Sequence, residues 1–133
     1  MSCELCNSLG GTLIWQNDLC RVVLVDDADY PGFCRVILNR HIKEMADLPE
    51  LERQMLMQVV FAVEQALTLL MQPDKINLAS LGNVVPHVHW HVIPRFVDDA
   101  HFPQPIWATS THTGNRRTAP DINILRDTLD ELA

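Results

Sequence analysis

The spacing of apolar residues changes character along the chain. In the first forty residues, short runs rich in β-branched and apolar side chains alternate with turn residues, which predicts strands over "GTLIWQ" and "CRVVLVDD" joined by the "QND" turn. "ADYPG" reads as the next turn, because Pro31 fixes φ and Gly32 permits unusual backbone angles. "FCRVILNR" follows as a third strand leading to His41, so the first three strands form an antiparallel meander. From Leu51 to Met71 the period lengthens. This stretch has no Gly or Pro, and Leu56, Val59, Val60, Val63, Leu67 and Leu70 recur at helical spacing, predicting one face packed on a sheet. Asp47 and Glu50 stand three residues apart as in a capping box, Pro49 suits a first turn, and "QPDK" ends the helix. "KINLASLG" and "HVHWHVIPR" read as a fourth and fifth strand. A long Pro-, Thr- and Gly-containing loop then leads to a short amphipathic helix in "PDINILRDTLDELA". The order β-β-β-α-β-β-α predicts one antiparallel α+β domain over residues 1–133.

Composition narrows the function classes. At 133 residues the chain is long enough for one packed core. A net charge of −7 supplies no overall field toward a nucleic-acid polymer or an anionic membrane, so a phosphate-bearing ligand needs a local site. "MSCELC" lacks the basic and apolar regions of a signal peptide, and apolar runs fall short of a membrane span, so the expectation is a cytoplasmic protein. Without a secretory signal, Cys3, Cys6, Cys20 and Cys34 are not expected to form disulfides. Cys20 and Cys34 sit inside apolar runs as small core residues. Cys3 and Cys6 make a C-x-x-C knuckle, which is either half of a tetrahedral zinc site or a pair of plain thiols.

Half of the six histidines fall at alternate positions in "HVHWH". On a strand, His87, His89 and His91 would share one face, while Val88, Trp90 and Val92 face the helix. At roughly 3.3 Å per residue the outer two lie about 13 Å apart, too far to share one ion with bonds of about 2 Å. The three rings must therefore divide their work.

"HVHWHVI" resembles the H-x-H-x-H-x-x signature of the histidine triad (HIT) superfamily of nucleotide hydrolases and transferases. "LVDDADYPGFCRVILNRHI" is similar to that fold's strand–turn–strand ending in a characteristic His. "INLASLGNVVPHVHWHVIPRFVDDAHFPQPIWA" resembles short bacterial members described as diadenosine-tetraphosphate-hydrolase-like. The likeness covers residues 3 to 108, with 109–133 as a C-terminal tail and helix. It implies a five-stranded antiparallel sheet with one long helix and a C-terminal helix, paired into a homodimer with a continuous ten-stranded sheet.

The resemblance also implies roles. His89 becomes the nucleophile on the α-phosphorus of a nucleotide, forming a nucleotidyl-histidine that water releases; a neutral imidazole suits this step. His91 contacts phosphate and steadies the developing charge. Asn83 binds phosphate through its amide, and Gly82 lets the backbone approach. Asp26 accepts from the ribose hydroxyls, with Asp27 one residue away as a competitor. Cys3, Cys6, His41 and His87 would complete a structural Cys₂His₂ zinc site with no open position. "ASLGNVVP" is shorter than the Gly-rich loop of many members, which bears on substrate choice more than on the chemistry. Trp107 is a candidate cover for the active site of its own or a partner subunit, with packing as the alternative. The expected activity is hydrolysis of a dinucleoside polyphosphate or a nucleoside phosphoramidate, with a nucleotide-binding regulator or a zinc-dependent interaction module as alternatives. No organic cofactor is expected.

Overall fold

A computed structural model describes residues 3–110 and 112–133. Three short strands, β1 (Thr12–Gln16), β2 (Cys20–Leu24) and β3 (Cys34–Leu38), form the expected meander, and β4 (Lys75–Ala79) and β5 (His89–Arg95) complete the sheet. All neighbouring pairs are antiparallel, and the strand order is β1-β2-β3-β5-β4. β5 thus enters between β3 and β4. Pro94 is tolerated in this inner strand because pairing with β3 stops at Val92, while Pro94 itself lies opposite Ile76 of β4.

A short helix, α1 (Glu4–Asn7), the long α2 (Glu50–Met71) and α3 (Ile122–Leu132) complete the fold. α1 had no periodic signal to announce it, since four residues make a single turn. Leu56, Val59, Val60, Val63 and Leu67 of α2 are buried as their spacing predicts, against Val22, Val36, Leu38 and Val92 of the sheet and Val88 just before β5. Leu70 departs from this: it is exposed, because the stripe runs off the sheet in the last helical turn. The capping box is also absent. Asp47 belongs to a 3₁₀ turn (Met45–Asp47), Pro49 holds the N-cap position, and no side chain caps α2. At the other end Gln72 adopts a left-handed φ of 50° and its N–H reaches Thr68 O, closing the helix ahead of Pro73. By length and composition alone, α2, at 22 residues, is apolar enough to cross a membrane. Its buried face is nevertheless part of the core.

Asp121 does cap α3, accepting from the N–H groups of Asn123 and Ile124. Leu125 and Leu129 then pack into the core beside α2, and Arg126 Nε donates to Ile14 O of β1 at 2.6 Å. One face of the sheet is thereby filled by helices. On β3, Cys34, Val36 and Leu38 point into that core, which turns Phe33, Arg35 and Ile37 to the other face. Burial pushes the thiols of Cys20 and Cys34 up to about 12, so both stay protonated and inert as core residues.

Candidate functional site

The face opposite α2 carries His89 and His91. His89 and His91 lie across from Ile37 and Arg35 in the β3–β5 register, and both imidazoles are buried. His87 differs from the strand expectation. It precedes β5, at a bend where its N–H donates to Val85 O at 2.8 Å. The row of three is therefore a pair on the strand and a third ring turned away at its entrance.

That turn brings His87 to Cys3, Cys6 and His41. The four ligand atoms lie within 4.8 Å of one another. His87 Nδ1 is 3.4 Å from Cys3 Sγ, 3.5 Å from Cys6 Sγ and 3.2 Å from His41 Nδ1, while Cys6 Sγ is 3.3 Å from His41 Nδ1. Tetrahedral zinc with its usual bond lengths spaces two nitrogens by about 3.3 Å and sulfur from nitrogen by about 3.6 Å. The donor set fits such an ion. Its protonation fits as well: His87 Nε2–H donates to Leu38 O at 2.7 Å, leaving Nδ1 with its lone pair toward the other three groups. Burial lowers the His87 pKa, which favours that neutral ligand form.

The C-x-x-C segment is held by protein contacts too. Arg21 is buried on β2, and its guanidinium donates to Leu5 O at 2.7 Å, Leu9 O at 3.0 Å and Ser8 O at 3.1 Å. These carbonyls belong to the end of α1 and the chain just after it, so Arg21 pins the knuckle to the sheet. Leu5 packs with Val23 and Ile37 beneath it.

From His87 the geometry passes directly to His89. The His89 Nδ1–H donates to the His87 carbonyl at 2.6 Å, so the proton sits on Nδ1 and the lone pair on Nε2. Ser80 Oγ donates to His89 O at 2.8 Å, fixing the backbone from the β4 side. His89 and His91 line a cavity of about 360 Å³, within the range of small-molecule sites. Gly82 and Asn83 line it from the β4–β5 loop, where Gly82 takes a left-handed φ of 70°. Leu5, Arg35 and Trp107 close other sides. Trp107 of the same chain stands edge-on to His91 at 5.2 Å between ring centroids.

The loop that delivers Trp107 is clamped by a buried ion pair. Arg95 Nε donates to Asp99 Oδ2 at 2.7 Å, and Arg95 Nη2 donates to Gln104 O at 2.7 Å. Burial opposes the charge on Asp99, but Arg95 and the N–H groups of His101, Phe96 and Phe102 outweigh it and hold its pKa well below the usual carboxylate range. His101 pairs with Tyr30 OH, and His112 Nε2–H donates to Asp99 O at 2.6 Å, so both tail histidines belong to this clamp.

Asp26 is exposed at the turn after β2, and Asp27 accepts there from Asp29 N–H at 3.0 Å. Neither lines the cavity. Arg35 is a charged cavity residue that sequence reasoning passed over. The signal was a single charge inside the apolar run "FCRVIL", at a position whose parity matches Phe33 and Ile37.

His91 makes the site pH-sensitive. Burial, then the nearby charges of His89 and Arg35, push its pKa from 6.5 down to about 4. The unfolded chain takes up this proton as pH falls below 6.5, while the folded chain resists until about 4. Stability from this group is complete above pH 6.5 and is lost on the way down to about 4, a total of roughly 3 kcal/mol at most. Urea unfolding of wild type and His91→Asn across this window should show a shallower acid loss in the variant. Identical slopes would contradict the assignment.

Comparison with known proteins agrees with this geometry. The HIT domain family model matches residues 9–98. A histidine triad protein from Bradyrhizobium japonicum has 30% sequence identity, a TM-score of 0.74, and covers 93% of this chain and 91% of its own. Another from Marinobacter aquaeolei VT8 has 28% identity, a TM-score of 0.77, and coverage of 94% and 93%. Proteins named AP-4-A phosphorylase from two Mycobacterium tuberculosis strains are 29% identical over 109 residues, 77% of this chain and 51% of theirs. The chain thus spans about half the length of these curated relatives. The matched span and the full-length structural likeness converge on one conclusion: this chain belongs to the HIT domain family.

Proposed function

We propose that this chain cleaves nucleotides at the α-phosphorus by two successive displacements at His89, acting on dinucleoside polyphosphates or nucleoside phosphoramidates. The observation that carries this reading is the bond from His89 Nδ1–H to the His87 carbonyl, in a ring that lines the cavity. In the neutral ring, this bond keeps the proton on Nδ1 and leaves the lone pair on Nε2, the tautomer a phosphorus nucleophile requires. In the first displacement, Nε2 forms a bond to phosphorus while the bond to the leaving group breaks; a departing phosphate oxygen keeps the electron pair, and a departing nitrogen also takes a proton from water and leaves as the amine. In the second, a water oxygen attacks phosphorus, the P–N bond breaks, and a nucleoside monophosphate leaves. If inorganic phosphate replaces water the product is a nucleoside diphosphate, the outcome that the name phosphorylase describes for the relatives.

His91, neutral across the physiological range with its pKa near 4, hydrogen-bonds the transferring phosphoryl group. Asn83 and the backbone at Gly82 bind its oxygens from the loop. Asp26 is assigned to the ribose; a nucleoside would extend from β5 across β3 to the end of β2 to meet it. The reading includes a homodimer, for which the sheet offers edge strands β1 and β4. Cys3, Cys6, His41 and His87 hold zinc in this proposal, because two thiolates with two imidazoles are the donor set zinc favours. Bound there, zinc would cross-link the N-terminal segment to the entrance of β5, and no catalytic step passes through it.

Two experiments test these assignments. His89→Ala should reduce kcat/KM on diadenosine tetraphosphate and adenosine phosphoramidate by roughly 10³-fold or more with an unchanged circular dichroism spectrum. Acid-quenched wild type, but not the variant, should carry labelled nucleotide on histidine. Full activity in His89→Ala would end the proposal. For the metal, elemental analysis should give one zinc per chain in wild type and strong depletion in Cys6→Ser, with a lowered Tm. Equal zinc in both proteins would remove the site.

A further inference from the structure

The wall of the histidine cavity carries two charged side chains besides the imidazoles, Glu4 and Arg35. Among the described residues, Arg35 is thus the cavity's one fixed positive charge, in a chain whose net charge is −7. It sits on β3 directly opposite His91 in the strand register. Its Nη1 donates to Gly10 O at 3.0 Å, and its guanidinium stands 5.8 Å from the Phe33 ring centroid. Its Nε is buried and has no hydrogen-bond partner among the described residues. No carboxylate of the described residues lies within ion-pairing distance, although three other such pairs form.

This is an uncommon state for arginine. Buried N–H groups are nearly always paired, and a half-buried guanidinium without a carboxylate stands ready for an external anion. A phosphate chain supplies that anion, since its oxygens accept from a guanidinium in a geometry an ammonium does not reproduce. Without Arg35, the site would meet a polyanionic substrate with Glu4 on its wall and the negative field of the whole chain. The bond to Gly10 O accounts for one N–H of the side chain, and Nε is itself buried, so an external anion would meet the guanidinium at its Nη groups.

Building on the reaction proposed above, we infer that Arg35 binds the phosphate chain beyond the attacked α-phosphorus. It thereby selects polyphosphate substrates over phosphoramidates, whose leaving group carries no phosphate. Arg35 is then a specificity residue, whereas His89 serves both substrate classes alike.

The test is the ratio of kcat/KM for diadenosine tetraphosphate to that for adenosine phosphoramidate, measured in wild type, Arg35→Met and Arg35→Lys. Loss of a charge-assisted contact predicts a ratio lower by roughly 10- to 100-fold in Arg35→Met. Arg35→Lys keeps the charge and should recover part of the ratio. Inorganic tripolyphosphate, which mimics the phosphate chain alone, should inhibit wild type more strongly than either variant. If Arg35→Met does not fold, the lysine variant and the inhibition constants decide. An unchanged ratio, with both substrates falling together, would make Arg35 a structural tether and overturn the inference. Wild type that turns over neither compound would instead remove the proposed reaction and this inference with it.

Discussion

His87 makes three contacts at once, and each reaches a different part of the molecule. Its Nε2–H is spent on the Leu38 carbonyl at the end of β3. Its Nδ1 meets Cys3, Cys6 and His41. Its own carbonyl accepts the Nδ1–H of His89. The first contact decides the second, because a ring that has donated from one nitrogen offers a lone pair at the other. The third fixes the tautomer of the neighbouring ring in the same way. A residue with 1% exposure thus links the cysteine knuckle, met by its ring, to the proposed nucleophile, met by its carbonyl.

The remaining scaffold holds the two ends of that relay. Arg21 anchors the N-terminal segment through three backbone carbonyls, so the knuckle is positioned by the sheet as well as by any ion it holds. At the far end the Arg95–Asp99 pair fixes the loop that brings Trp107 against His91. A buried pair of this kind adds little net stability after desolvation, but its breakage would leave an uncompensated charge, so it specifies one loop path. Between these anchors lies the cavity, with its floor on β3 and β5 and its rim on the Gly82–Asn83 loop.

Much of this was legible in the residues. Strand alternation separates Val88 and Val92 from His89 and His91, and the helical stripe from Leu56 to Leu67 is buried as its period requires. The reading failed where local spacing ceased to be the deciding constraint. His87 obeys the alternation in sequence, but the chain bends before β5, and that bend lets the first ring leave the row. Asp47 and Glu50 have capping-box spacing, yet a 3₁₀ turn and Pro49 begin the helix otherwise. Leu70 keeps the period past the edge of the sheet, where nothing remains to cover it. α1 and Arg35 were missed for another reason. One turn has no period, and a lone arginine in a strand acquires meaning only when β5 is placed beside it. The resemblance to HIT proteins supplied the metal set, which spacing alone left as half a site, and the fold brings all four side chains together.

The central claim is that phosphorus passes through a covalent bond to His89. The stereochemical course at phosphorus tests it most directly. A diadenosine polyphosphate with a chiral phosphorothioate of known configuration at the attacked α-position, cleaved in ¹⁸O-labelled water, yields a chiral product whose configuration can be read by ³¹P NMR. Two in-line displacements, one by His89 Nε2 and one by water, predict overall retention. Inversion would mean a single direct attack by water and would contradict the account.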